Sequence, residues 1–305
     1  MWRFVIKRMA YGVFVLLGVS FFSFALVHLA GDPAVALLPL GTPPEQIESF
    51  RRQMGLDRPI AVQFLDYIAD VVRGEFGLSL RHRENAMALV LERLPATLKL
   101  GAAAVALSVV ASFPLGVLAA VYKGRWVDHA VRLAAVLCQA TPGFWLGILL
   151  ILLFGVRLGW FPVSGGEGWR SLVLPAIVVA AGPVGNLTRL LRSSVLESLA
   201  QDYVRTARSK GVPETAVVLR HALRNALIPF VTMLSMQIGH IVGGSVVAET
   251  VFAYPGMGRL AVQAITNRDL PVIQAFVLVQ AAVIVAVNVA LDVVYTVIDP
   301  RIRYE

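Results

Sequence analysis

The chain of 305 residues is 57% hydrophobic and only 15% charged, with a mean hydropathy of +0.74, whereas soluble domains run at roughly 45–50% apolar and about 25% charged. That balance points to a lipid-embedded protein and away from the soluble globular classes. The formal charge of +8 does not mark a nucleic-acid binder, because the basic residues gather in short loops between apolar runs, where Lys and Arg are retained on the cytoplasmic side, and form no stripe with interleaved aromatics.

A helix needs about 20 apolar residues to cross the hydrocarbon core, and six runs meet that length in chain order: Met9 to Ala30, Thr97 to Tyr122, Val131 to Val156, Leu172 to Leu191, Ala226 to Ala248 and Val272 to Ile298. The first follows Arg3, Lys7 and Arg8 like a signal peptide. It exceeds the about 7–15 residues of a signal core and lacks a small-residue cleavage site, so it reads as an uncleaved anchor. Pro175 and Pro183 interrupt the fourth run, although a bundle can satisfy the backbone groups that proline frees. Trp160, Phe161 and Pro162 after the third match an interfacial aromatic anchor.

Basic residues sort the connections. One side takes Arg3, Lys7, Arg8, Lys123, Arg125, Arg301 and Arg303, with Arg192, Arg205, Arg208, Lys210, Arg220 and Arg224 between the fourth and fifth runs. The opposite short loops hold only Arg157, Arg170, Arg259 and Arg268. Both termini and the segment from Arg192 to Asn225 are therefore expected in the cytoplasm, in a multi-pass membrane protein. The segment from Gly31 to Pro95 is then outside, with its nine acids offsetting its seven arginines. Within it, Ala61, Phe64, Leu65, Ile68, Val71 and Val72 recur at helical spacing and predict an amphipathic helix.

Residues for chemistry are sparse. A Walker A loop ends in Gly-Lys followed by Ser or Thr, where lysine meets the phosphates and the hydroxyl ligates magnesium. The four lysines precede Arg8, Leu100, Gly124 and Gly211, so any ATP that drives the protein is bound by another chain. Cys138 is the sole cysteine, which excludes an intrachain disulfide or a thiolate metal cluster. Gly243, Gly244 and Ser245 with His240 supply the residue types of an intramembrane serine protease, but Val246 stands where a Gly-x-Ser-Gly motif needs glycine. The glycines read instead as close helix packing. Two polar pairs fall at helical spacing inside spans, Gln237 with His240 and Asn288 with Asp292. Such groups are costly in lipid, and they are candidates for a translocation pathway or for interhelical hydrogen bonds.

The cytoplasmic segment is the most informative. Tyr203 to Lys210 can form two helical turns, Gly211 can stop them in a left-handed cap, and Pro213 can open the next helix in its first turn. From Tyr203 to Pro229, with Ala207, Gly211, Asn225 and Pro229 at matching positions, the segment resembles the EAA-type loop of ABC importer permeases of the dipeptide, oligopeptide and nickel branch. Gly31-Asp32-Pro33, Gly55-Leu56-Asp57 with Pro59 and Gln63, Arg93 to Leu98, Glu249-Thr250-Val251-Phe252, Pro255-Gly256-Met257-Gly258, Arg268 to Pro271 and Asp299 to Arg303 extend the resemblance over the chain. Ser209 stands where a second alanine is common, and Ala30-Gly31 where Pro-Gly is frequent.

The resemblance implies an all-α membrane protein with six transmembrane helices in the type I ABC importer permease fold. Residues 1–94 would form an N-terminal helix and a long extracytoplasmic loop, and residues 95–300 the transmembrane domain with its coupling loop at 192–225. It implies a non-enzymatic subunit forming half of the pathway for di- or oligopeptides or a small peptide such as glutathione. The alternatives are a nickel-complex permease of the same family or an ATP-independent secondary transporter. The implied partners are a homologous second permease, two ATPase subunits holding ATP and magnesium, and an extracytoplasmic substrate-binding protein; the chain itself holds no cofactor or metal. Tyr203, Arg205, Thr206, Ala207, Arg208, Lys210 and Gly211 would couple to an ATPase, and Gln237, His240, Asn288 and Asp292 would line the pathway.

Overall fold

A computed structural model describes residues 2–298 apart from 30, 33, 36, 37, 39, 40, 166 and 167; the side chains of 2–5, 242 and 292–298 lie outside that description. Among the described residues the structure is helical, and β pairing is confined to an isolated bridge between Leu78 and Asn85. The helices are α1 (Trp2–Leu29), α2 (Pro44–Gln53), α3 (Ile60–Arg73), α4 (Ala86–Val121), α5 (Trp126–Ala140), α6 (Gly143–Leu150), α7 (Arg170–Leu199), α8 (Asp202–Ser209), α9 (Glu214–Ala216), α10 (Leu223–Val251), α11 (Met257–Thr266) and α12 (Leu270–Ile298). π-helical turns at Ile151–Arg157 and Val217–Ala222 extend α6 and join α9 to α10.

The expected third span, Val131 to Val156, is not one helix. Its two halves, Trp126–Ala140 and Gly143–Arg157, meet at 107°. Pro142 causes the break: it has no N–H to donate and forces the preceding residue out of the helical region. Thr141 accordingly sits at φ −80°, ψ 120°, and the Leu137 carbonyl accepts both its amide at 3.0 Å and its hydroxyl at 2.7 Å. Pro175 and Pro183, by contrast, lie inside an uninterrupted α7. Among the described residues five helices are long and apolar enough to cross a membrane, and the bent pair makes a sixth passage if it counts as one span.

The chain forms two compact units, Met1–Pro95 with Pro255–Glu305, and Ala96–Tyr254. In the first, α1 runs along α12, so close at Gly12 that a Cβ there would stand 2.7 Å from Val285 Cγ1. The predicted amphipathic helix is α3, ended by Gly74 at φ +75°. Its Phe64 meets Phe21 and Phe24 edge-on, while Tyr67 and Val71 pack on a core that includes Phe76, Leu89, Val90, Met257 and Val272. The loop before α4 is tied to the α11–α12 turn by Asp269, which accepts from Ser79 Oγ at 2.5 Å and from the Leu80 amide at 3.3 Å.

In the second unit α7 is the central helix, packed on α10, α5 and α6. Lipid is as apolar as leucine, so close van der Waals fit and small residues hold such helices together. Leu187, Leu191, Val195, Ala226 and Phe230 fill one interface. Gly185 sits against α5, where a Cβ would come within 2.4 Å of the Ala135 carbonyl oxygen. Two buried polar ties supplement this packing. Glu249, fully buried, accepts from Thr97 Oγ1 at 2.8 Å and Ser245 Oγ at 3.1 Å. Asp128 takes Arg192 in a two-pronged bond, Nε at 2.6 Å and Nη2 at 2.7 Å.

Candidate functional site

Helix α8 carries the predicted coupling residues, shifted by one from the expected Tyr203 to Lys210. Its eight residues divide sharply. Val204 and Ala207 are buried against Val217, with Leu199 and Val212 beside them, whereas Tyr203, Arg205, Thr206, Arg208 and Lys210 are exposed. The helix ends in a Schellman arrangement: the Gly211 amide donates to Arg208 O at 2.9 Å and the Val212 amide to Ala207 O at 3.2 Å. Gly211 adopts φ +76° as predicted, a region that a side chain with a Cβ resists. Pro213 stands one place before α9 as its N-cap, not within the first turn as expected.

Two contacts fix α8 to its surroundings. Arg208 donates through Nε and Nη2 to the Glu214 carboxylate at 3.0 and 2.6 Å, a pairing that pushes the Arg208 pKa up further. Asn225 Nδ2 donates to the Tyr203 hydroxyl at 2.8 Å. Tyr203 and Asn225, with Ser194, Glu197, Gln201 and Pro229, line a polar hollow of about 310 Å³ at the foot of the helix. Ala207, expected to offer an outer contact, instead points inward. On an eight-residue helix bounded by the inward Val204, the residue three places on falls on the same face.

The structure brings Gln237 and His240 together. Both line a hollow of about 320 Å³ with Gly143, Phe144, Pro183 and Gly244; Gln237 is buried and His240 exposed. Asn288 lies in the first unit, exposed on α12. The side chain of Asp292 and all of Asp299 to Arg303 fall outside the described residues. Ser245 is buried and gives its hydroxyl proton to Glu249, a packing contact that does not resemble a nucleophile bonded to its base. Among the described residues, no three His, Cys, Asp or Glu side chains gather as metal ligands.

Sequence reasoning missed a third hollow of about 630 Å³, lined by Arg132, Asn186, Arg189, Arg192, Ser193 and Met233 among others. Arg189 donates to Gln139 Oε1 at 2.9 Å, and Gln139 Nε2 to Asn186 Oδ1 at 2.5 Å. The available signal was the helical spacing of Asn186, Arg189 and Ser193 within an apolar run.

Long apolar helices with a short amphipathic helix between two of them define the class, a multi-pass membrane protein. The chain belongs to the family of binding-protein-dependent transport system inner membrane components, whose profile matches residues 112–304, and the family's N-terminal profile matches residues 1–101. It is thus a permease subunit of an ABC importer. A protein of Brucella abortus (strain 2308) named as a peptide transport system permease is 42% identical over 310 residues, covering 99% of each chain. The glutathione transport system permease protein GsiC of Escherichia coli (strain K12) is 42% identical over 306 residues, covering 100% of each. Among solved structures, a chain of the inward-facing MetNI methionine ABC transporter shares the fold at a TM-score of 0.58 and 20% identity, over 70% of this chain and 97% of that one.

Proposed function

We propose that this permease forms half of the pathway of an ATP-driven importer for di- or oligopeptides or a related small peptide such as glutathione. The substrate class rests on the names of its full-length relatives, a glutathione permease and a peptide permease. Its partners are a homologous second permease, two ATPase subunits that bind ATP and magnesium, and an extracytoplasmic binding protein. In this reading both termini and residues 192–225 face the cytoplasm of a bacterial inner membrane and residues 31–95 face outward, an orientation that the loop charges support.

The observation that carries the coupling role is the division of α8 into a buried and an exposed face. Val204 and Ala207 seat it on its own chain, and Tyr203, Arg205, Thr206, Arg208 and Lys210 are left for a soluble ATPase, with Gly211 providing the exit. Gln237 and His240 line the path within the bundle, and Asn288 and Asp292 are assigned to it as polar positions of the last span.

Single cysteines in a Cys138→Ser background test this arrangement in the assembled transporter. Thr206→Cys is expected to crosslink to the ATPase and Arg52→Cys, in the outer segment, to the binding protein. Ala207→Cys, buried, is expected to react far more slowly. A Thr206→Cys crosslink to the binding protein, or uptake that continues without the ATPase subunits, would refute the proposal.

A further inference from the structure

The hollow around Arg189 and the mostly apolar hollow that Gln237 and His240 line are successive stretches of one strip on the second unit. On α7, Pro183 lines one hollow and Asn186, one turn on, lines the other. On α10, His240 and Gln237 line the first and Met233, one turn back, lines the second. On α5, Gln139 hydrogen-bonds both Asn186 and Arg189. Residues three and four apart share a helix face, so three helices each contribute to this strip at their own period. A strip of Arg, Asn, Gln and His along membrane helices belongs against water or protein rather than lipid.

Charge is concentrated at the Arg189 end. Three guanidiniums line this hollow, and one carboxylate, Asp128, lies beside it, committed to Arg192 and 3.4 Å from Arg132 Nε. Arg132 Nη2 also lies 2.7 Å from His129 Nδ1. Among the described residues no carboxylate lies within ion-pair distance of Arg189, whose donor goes to the neutral Gln139. Arg189 is exposed and lies ten residues before the end of α7, about 15 Å at 1.5 Å per residue. A guanidinium held by an amide and left without an acid is a receptor for a planar anion, which it can take through two parallel N–H donors.

We propose that this hollow receives the carboxylate of the transported solute after it passes Gln237 and His240, and that Arg189 selects for it. The assignment rests on the reading that this chain lines the path. Ser193, one turn from Arg189 and exposed in the same hollow, is the reporter. Ser193→Cys in a Cys138→Ser background, in the complete transporter in phosphatidylcholine vesicles, is treated with anionic sulfonatoethyl and cationic trimethylammonioethyl methanethiosulfonate. The anionic reagent should react faster. Arg189→Gln should cut the anionic-to-cationic rate ratio about tenfold, since one charge about 6 Å away changes each rate about threefold in opposite directions in water. Arg189→Lys should restore the ratio.

Uptake gives the second readout. Wild type should prefer a dipeptide with a free C-terminal carboxylate over its amide, and Arg189→Gln should erase that preference while Arg189→Lys retains it. An unreactive Ser193→Cys, or a reagent ratio or uptake preference that ignores Arg189→Gln, would overturn the proposal. So would loss of the reagent contrast when phosphatidylglycerol is added, which would assign the hollow to a lipid headgroup. A ratio that follows Arg189 in a transporter that moves no peptide would refute the peptide reading and leave the anion site standing.

Discussion

Removing Asp128 is the most informative single perturbation of the second unit. Its side chain is 2% exposed, and its carboxylate holds Arg192 Nε at 2.6 Å, Arg192 Nη2 at 2.7 Å, the Gly124 amide at 2.9 Å and Arg132 Nε at 3.4 Å. Asp128→Ala strips these contacts and leaves the Arg192 side chain, 19% exposed, without its acid. Breaking a buried pair from one side costs about 3–5 kcal/mol, and water reaching the exposed part of Arg192 brings the expectation to about 3 kcal/mol. Asp128→Asn keeps an acceptor and should cost about 2 kcal/mol. At about 2–4 °C per kcal/mol, Asp128→Ala should lower the unfolding midpoint of the purified subunit in nonionic detergent by about 6–12 °C. The control is a double-mutant cycle with Arg192→Ala, whose coupling should be about 2 kcal/mol. Effects that add to within about 0.5 kcal/mol would show that the pair seen at 2.6 Å carries no net interaction and refute the reasoning.

Three further substitutions have defined outcomes. Gly185→Ala places a Cβ 2.4 Å from the Ala135 carbonyl oxygen; overpacking of this kind costs about 1–3 kcal/mol, and thermal unfolding should show that loss. Gly211→Val puts a β-branched residue at φ +76° with open space around it, so the cost of about 1–2 kcal/mol is conformational alone; ATP-driven uptake should fall while membrane insertion, measured by fractionation, is unchanged. Asp269→Ala frees Ser79 and the Leu80 amide, and amide exchange over residues 79–84 should accelerate about tenfold or more, whereas exchange in α7 should not move.

How much of this was legible in the sequence depended on range. Spans declared themselves because about 20 apolar residues in a row have few other uses, and the stop at Gly211 did so because a local backbone rule demands it. Pro175 and Pro183 interrupt the fourth apolar run in the sequence and, as a bundle allows, are carried inside α7, while Pro142, inside the third run, bends the chain by 107°. Local sequence states that a proline frees a carbonyl; the surroundings decide whether the helix continues. The long-range ties were out of reach: Asp128 and Arg192 are 64 residues apart, Ser79 and Asp269 are 190 apart, and no local period relates them.

Ala207 and Arg189 show how position on a helix face changes the meaning of a residue type. A small residue in a basic segment invites a reading as a contact point, yet Val204 three places earlier already marked that face as apolar, and the structure buries both. The same test applied to α7 works in the other direction. Asn186, Arg189 and Ser193 recur at intervals of three and four within a helix whose opposite face holds Leu187, Leu191 and Val195. Taken singly, each polar residue is an irregularity in a span. Taken at the helical period, they form a face, and a polar face on a membrane helix is stable only where water or protein meets it. The polar side of α7 therefore follows from spacing, while the position of Arg189 beside Gln139, and its lack of an acid among the described residues, required the neighbouring helices.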